Sequence, residues 1–257
     1  MLKTRIAAIK PYLTQSAKKE RPNTDSIANR LANVRSSRDT LSAWAALKPD
    51  VVLVHSLRSQ EGLLFQKPAE EVFSQWDMIS TSLVDVKNIA PFPSQWHPRM
   101  GTDRMTGCIE DVSLVLDVAP QNIIGTHPQD VWFPNHAGVS RSGKVCNSYA
   151  LADHVRYGIG KTGKVVQGGF DQLVAPDTLL KRSEEDHNEV LIVGREGVNT
   201  YTDLKPTQNV KVVGILVAPK HKSGEASVEL RDSMQRTKMI AALQELNAGL
   251  RNVTVIA

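Results

Sequence analysis

Six runs of aliphatic and β-branched residues, each of strand length, constrain the fold of this chain more than any other feature. They are VVLVH (51–55), ISTSL (79–83), SLVLDV (113–118), EVLIVG (189–194), VKVVGILVA (210–218) and VTVI (253–256). Side chains branched at Cβ favour the extended backbone. Candidate helices between the runs are few: 68–76, 147–156, 170–181 and 229–248. Because helices do not alternate regularly with strands, the pattern predicts an α+β fold with mostly antiparallel sheets.

Changes in residue pattern divide the chain into three regions. Residues 1–48 carry apolar side chains at helical spacing and are predicted to form a helical N-terminal region. Residues 49–220 hold most of the strand-like runs and are predicted to form the core. Residues 221–257 are predicted to form a C-terminal helix followed by a strand.

Composition excludes several classes of protein. The chain is 41% hydrophobic and 23% charged, which is typical of a globular protein and not of a disordered one. No apolar run approaches the ~20 residues that span a bilayer, and the N-terminus has no continuous apolar segment of a signal peptide. Cys108 and Cys146 are too few for a disulfide scaffold and lack zinc-site spacing. We therefore expect synthesis in the cytoplasm, no membrane partner and no metal, with export as a toxin or effector left open.

Basic residues are concentrated near both ends of the chain, and the net charge is +4. A basic surface of this kind is typical of a module that binds nucleic acid or another polyanion. Acidic residues are interspersed with the basic ones, which favours ordinary solvated helix faces instead. Non-enzymatic binding of nucleic acid or a phosphoprotein by the two ends, together with the loop AGVSRSG (137–143), is the alternative function that the sequence leaves open.

Two glycine-rich segments resemble phosphate-binding loops but lack an essential residue. The segment AGVSRSG resembles the loop of dual-specificity phosphatases, yet Asn135 stands where that family has its cysteine nucleophile. The segment GIGKTGK (158–164) lacks the first glycine of a P-loop, because that position is Val155. We expect neither phosphatase nor P-loop chemistry, while binding of an anion by the first loop stays open.

Three strand-like segments, far apart in the sequence, carry polar residues suited to a site. They are VVLVHSLRS with His55 and Arg58, ISTSL with Ser80, Thr81 and Ser82, and HNEVLI with His187 and Glu189. Because side chains alternate along a strand, the two serines are predicted to face one side of a sheet and the threonine the other.

The order of these segments resembles that of the ADP-ribosyltransferases of the arginine–serine–glutamate class. In that class a first strand supplies a basic residue that contacts NAD, and a second begins with Ser-Thr-Ser. A third strand begins at the catalytic glutamate, often as Glu-Val-Leu. The resemblance covers about residues 50–218. It implies two small sheets around an NAD cleft and transfer of ADP-ribose from NAD to a protein or nucleic acid.

The resemblance also implies the catalytic residues. Glu189 would stabilise the positive charge that forms on the ribose as nicotinamide leaves, and would orient the acceptor. His187 stands two residues before it, where the family often has glutamate or glutamine. Water as acceptor would make the same site an NAD hydrolase. The oligomeric state is left open.

The remaining site residues are predicted to hold NAD. Ser80 and Ser82 would contact the ribose or support the glutamate, while Thr81 packs within the sheet. His55 and Arg58 are both candidates for the basic residue that binds the pyrophosphate or the adenosine ribose. Arginine is the better ligand for phosphate, because its guanidinium group can donate two parallel hydrogen bonds.

Two segments rich in proline, glycine, asparagine and histidine, at 119–147 and 158–170, are predicted to be long loops. Residues 119–147 and 158–181 are predicted to shape acceptor recognition. Within the first, four residues are interpreted either as the lining of a pocket or as anchors of the loop, namely His127, Trp132, Phe133 and His136.

Overall fold

A computed structural model describes the chain in separate stretches. They are residues 38–57, 63–76, 79–89, 112–128, 131–132, 157–160, 165–167, 173–182, 188–198, 200–201, 204–217, 226–250 and 255–256. The helices in these stretches are α1 (Arg38–Ala45), α2 (Ala69–Phe73), α3 (Pro176–Arg182) and α4 (Ala226–Leu246). Short 3₁₀ turns cover Leu63–Phe65, Pro120–Asn122 and Ala248–Leu250.

Ten strands form two sheets in the described part of the chain. The strands are β1 (Val51–Leu57), β2 (Ile79–Asp85), β3 (Val112–Asp117), β4 (Ile123–His127), β5 (Val131–Trp132), β6 (Tyr157–Gly160), β7 (Val165–Gln167), β8 (Glu189–Ile192), β9 (Lys211–Val217) and β10 (Val255–Ile256). The main sheet has seven strands in the order β10-β9-β3-β1-β2-β8-β4, and β5-β6-β7 form a three-stranded sheet.

All neighbouring strands of the main sheet are antiparallel except β10, which lies parallel to β9. The prediction of a mostly antiparallel α+β fold is therefore confirmed. The six strand-like runs of the sequence all become strands of this one sheet, which is larger than the small sheets expected.

Helices cover one face of the main sheet, which we call the helix face. Its strand residues include Leu53, Ile79, Leu114 and Val190. They pack in one cluster with residues from each described helix, namely Leu41, Trp44, Ala69, Val72, Phe73, Leu179, Met239 and Leu243. The Trp44 indole of α1 donates a hydrogen bond to the Val174 carbonyl at 2.8 Å, which ties this helix to the chain just before α3.

The opposite face, which we call the serine face, combines apolar and hydroxyl side chains. Its apolar cluster consists of Val54, Val84, Val115 and Leu216. Alternation and strand register place Ser56, Ser80, Ser82 and Ser113 on the same face. The Ser56 and Ser113 hydroxyls lie 3.1 Å apart across β1 and β3.

The prediction of long loops at 119–147 and 158–170 is wrong in part. Strand β4 lies inside the first segment, and β5 follows it. Most of β6 and all of β7 lie inside the second, while α3 lies mostly within the helix predicted at 170–181. Strand β4 forms because it extends the sheet beside β8, which supplies hydrogen-bond partners that a local pattern does not reveal.

Several predicted features lie outside the described residues. They are the helix at 147–156, residues 1–37 of the N-terminal region, and the loop AGVSRSG with most of the basic ends. None of the described helices combines the length and the apolar character needed to cross a bilayer.

Candidate active site

The order of strands brings the three polar segments of the sequence together. Strand β2 lies between β1 and β8, so the segments at 51–57, 79–85 and 189–192 are neighbours in the sheet. In the antiparallel β2–β8 pair, Ser80 is opposite Leu191 and Thr81 is opposite Val190. Ser82 and Glu189 are the next residues along the two strands.

A hydrogen bond joins the second segment to the third. The Ser80 hydroxyl donates to Glu189 Oε1. The Glu189 side chain is 1% exposed, so its carboxyl group lies almost entirely out of solvent. A buried carboxylate is stable only where hydrogen bonds or charges compensate its lost hydration. The Ser80 hydroxyl therefore both holds and partly compensates this group.

The middle residue of the Ser-Thr-Ser segment points the other way, as the alternation of side chains predicts. The Thr81 hydroxyl donates to the Val190 carbonyl at 2.7 Å and is buried on the helix face. Ser82 lies on the serine face with Ser80 and is 3% exposed. Thr81 thus joins β2 to β8, while the two serines share the face of the carboxylate.

Asn188 fixes the strand that carries the glutamate. Its side-chain oxygen accepts from the Leu83 amide at 2.8 Å, and its side-chain amide donates to the Leu83 carbonyl at 2.9 Å. Both side chains are buried. The Asn188 amide thus acts as an extra backbone peptide that extends the β2–β8 pairing past Glu189. We call this pair of bonds the asparagine clamp.

A second asparagine holds the other end of β8. The Asn122 side chain, fully buried, donates to the carbonyls of Val193 and Gln208, both at 2.7 Å, and accepts from the Gln208 amide at 3.0 Å. The Asn122 carbonyl accepts from the Val193 amide at 2.7 Å. Strand β8 is thus fixed by buried amide groups at both ends.

The chain after β8 passes against the C-terminal end of α2. A Cβ atom placed on Gly194 would overlap the Phe73 carbonyl oxygen and lie 2.8 Å from that of Trp76. The Arg195 amide donates to the same Trp76 carbonyl at 2.9 Å. Only glycine fits at position 194 without moving one of these backbones.

His55 contacts β2 but lies on the opposite face from the carboxylate. Its Nδ1 is 2.8 Å from the Ser80 carbonyl oxygen, so this nitrogen carries the hydrogen. The ring packs edge-on against Phe73 and Trp76, with centroid separations of 5.5 and 5.9 Å. The structure therefore brings His55 to the backbone of Ser80 and not to the carboxyl group of Glu189.

The structure adds a histidine that the sequence motifs do not select. His127, the last residue of β4, is directly opposite Glu189 in the β4–β8 pair and is 8% exposed. The sequence offers one signal for it, namely its position in a segment interpreted as a possible pocket lining. Arg58 and His187, the other predicted site residues, lie outside the described residues.

The serine face thus carries polar side chains on five neighbouring strands. Hydroxyls stand on β3, β1 and β2, the carboxylate stands on β8, and the imidazole stands on β4. Among the described residues, no group of three or more histidine, cysteine or acidic side chains is placed to hold a metal ion. A buried carboxylate beside hydroxyl donors can stabilise a neighbouring positive charge or accept a hydrogen bond from a sugar hydroxyl.

Comparisons of the chain with protein-family models, with curated proteins and with solved structures found no match.

Proposed function

We propose that this protein transfers ADP-ribose from NAD to a macromolecular acceptor, with Glu189 as the catalytic carboxylate. The hydrogen bond from Ser80 to Glu189 carries the proposal. These residues are 109 positions apart, and each was selected by its own short motif. Their meeting on adjacent strands, on one face, is the arrangement that the resemblance to ADP-ribosyltransferases requires.

The reaction requires a carboxylate that interacts strongly with a positive charge and is held in one orientation. Nicotinamide leaves with the electron pair of the glycosidic bond, and positive charge develops on the ribose. The acceptor nucleophile then bonds to the same carbon and releases its proton. A carboxylate out of water interacts with such a charge more strongly than an exposed one does. Glu189 is buried and held by Ser80, which reduces the cost of orienting it.

The other residues of the motifs take roles that follow from their positions. Ser82, on the face of Glu189, is proposed to contact the NAD ribose. Arg58 is proposed to contact the NAD phosphates. His55 is proposed to hold the β2 backbone at Ser80, since its ring lies on the helix face. We also propose that NAD binds in a cleft between two sheets.

Release of nicotinamide from NAD tests the proposal directly. We expect the wild-type protein, supplied with cell lysate as a source of acceptors, to release nicotinamide. Glu189→Gln should reduce the rate by about 10²-fold or more, because it removes the charge that stabilises the transition state. Ser80→Ala should reduce it by about 10- to 100-fold, the equivalent of one hydrogen bond to a charged group.

The matched control is Glu245→Gln, which removes the same charge from an exposed position on α4 and should leave the rate unchanged. Circular dichroism would establish that each variant is folded. A folded wild-type protein that neither releases nicotinamide nor binds NAD in calorimetry would overturn the proposal. Binding to DNA or RNA with a steep salt dependence would then support the polyanion-binding alternative.

A further inference from the structure

We propose that His127 is a positioning residue for Glu189, and that its imidazole and the carboxylate titrate as a coupled pair. The role of the pair in catalysis rests on the proposed function, whereas the coupling itself rests on the sheet alone. Ser80 holds the carboxylate from the β2 side, and His127 is placed to act on it from the β4 side.

Strand register places the two groups side by side. In the β4–β8 pair, Gly125 is opposite Leu191, Thr126 is opposite Val190, and His127 is opposite Glu189. Directly opposite residues on antiparallel strands have Cβ atoms about 4.5–5.5 Å apart and share a face of the sheet. The Thr126 hydroxyl points to the other side, where it accepts from the Val174 amide at 3.2 Å. His127 therefore shares the serine face with Glu189.

Among the described residues of the serine face, Glu189 is the titratable group placed directly opposite His127. The nearest side chains of β2 and β8 on this face, Ser80, Ser82 and Leu191, carry no charge. Asp117 and Lys211 lie at the opposite end of the serine face, opposite each other on β3 and β9, and both are exposed. The charged residues of α3, namely Asp177, Lys181 and Arg182, are exposed on an element that packs on the helix face.

Burial makes the coupling strong. The exposed fractions are 8% for His127 and 1% for Glu189, so little water lies between the two groups. Opposite charges on neighbouring groups each favour the charged form of the other, and burial strengthens the effect because water screens it less. A protonated imidazole on this side keeps the carboxylate ionised and restricts its orientation, which is the state that the reaction needs.

Nuclear magnetic resonance of protein labelled at histidine tests the coupling without any assay of activity. The chain has seven histidines, so the His127 signal would be assigned from the spectrum of His127→Gln. We expect the pKa of His127 to fall by at least about one unit in Glu189→Gln relative to wild type. The charge-matched control, Glu245→Gln on the exposed side of α4, should leave it unchanged. An equal His127 pKa in the wild-type protein and folded Glu189→Gln would overturn the proposal.

The reciprocal experiment covers the case in which Glu189→Gln does not fold. The carboxyl carbon of Glu189 would be titrated in wild type and in His127→Gln, and its pKa should rise in the variant. No rise would equally overturn the proposal.

Measurements of nicotinamide release then test the role of His127 in catalysis separately from the proposed function. If the wild-type protein releases nicotinamide, the acid limb of the kcat profile should move to higher pH in His127→Gln, with little change in NAD affinity. An unmoved acid limb refutes the positioning role and leaves the function intact. Absence of release by wild type refutes the function, while the titrations still decide the coupling.

Discussion

Replacing Asn188 by alanine removes the asparagine clamp and tests whether it stabilises the sheet at the site. The change removes both partners of the Leu83 backbone, whose residue is 2% exposed. A buried backbone group without a partner costs about 1–3 kcal/mol. With two such groups and partial rescue by water, we expect the free energy of unfolding to fall by about 2–4 kcal/mol. That is a large share of the ~5–15 kcal/mol that stabilises a typical domain.

Urea denaturation followed by circular dichroism measures this loss, and the midpoint should fall without a change in slope. Hydrogen exchange at the Leu83 amide should accelerate, which locates the effect between β2 and β8. The control is Asn209→Ala, which removes an exposed bond of 2.9 Å to Glu196 and should change stability by no more than ~0.5 kcal/mol. A loss below about 1 kcal/mol in Asn188→Ala, with unchanged exchange at Leu83, would show that the clamp is not stabilising.

Two further substitutions test other contacts near the site. Gly194→Ala should lower the free energy of unfolding by about 3 kcal/mol or more, because its Cβ would overlap the Phe73 carbonyl oxygen. Gly249→Ala, where a Cβ meets nothing within 4 Å, is its control, and equal losses would contradict the reasoning. Tyr201→Phe removes a hydrogen bond of 2.6 Å to the Ile123 carbonyl, which should cost about 1–2 kcal/mol at pH 7. Burial raises the pKa of Tyr201 above its usual value, so the unfolded chain loses this proton first. Wild-type stability should therefore fall as the pH rises above about 10, and less steeply in Tyr201→Phe. Parallel slopes in urea titrations from about pH 8 to 11 would count against a buried, protonated phenol.

Strands of the main sheet were predictable from the sequence where their own residues favour an extended backbone. Val51–Leu57 and Lys211–Val217 are rich in β-branched residues, which favour extended backbone without help from neighbours. The alternation of side chains along a strand also predicted that Ser80 and Thr81 would point to opposite faces of the sheet. A motif of three residues was enough to predict which hydroxyls would share a face.

Other parts of the site depend on pairing that no local pattern records. Strand β4, Ile123–His127, has a glycine at its third position and lies in a segment rich in turn-forming residues. It becomes a strand because β8 lies beside it. The face of the sheet on which His55 lies was not predictable either. Apolar residues occupy both faces of β1, so its sequence shows no alternation of polar and apolar residues. No local pattern predicts the role of Asn188, because its partner Leu83 is 105 positions away in the sequence.

The position of β8 between β2 and β4 has a consequence for synthesis of the chain on the ribosome. Strands β2 and β4 both precede β8 in the sequence, yet neither pairs with the other. At about 5–20 residues per second, several seconds pass between completion of His127 and emergence of Glu189. During this interval the nascent chain presents two apolar strands whose adjoining edges lack their common partner. Exposed edges of this kind pair with other chains. The sheet around Glu189 can therefore be completed only after β8 is made, and until then β2 and β4 are open to pairing with other chains.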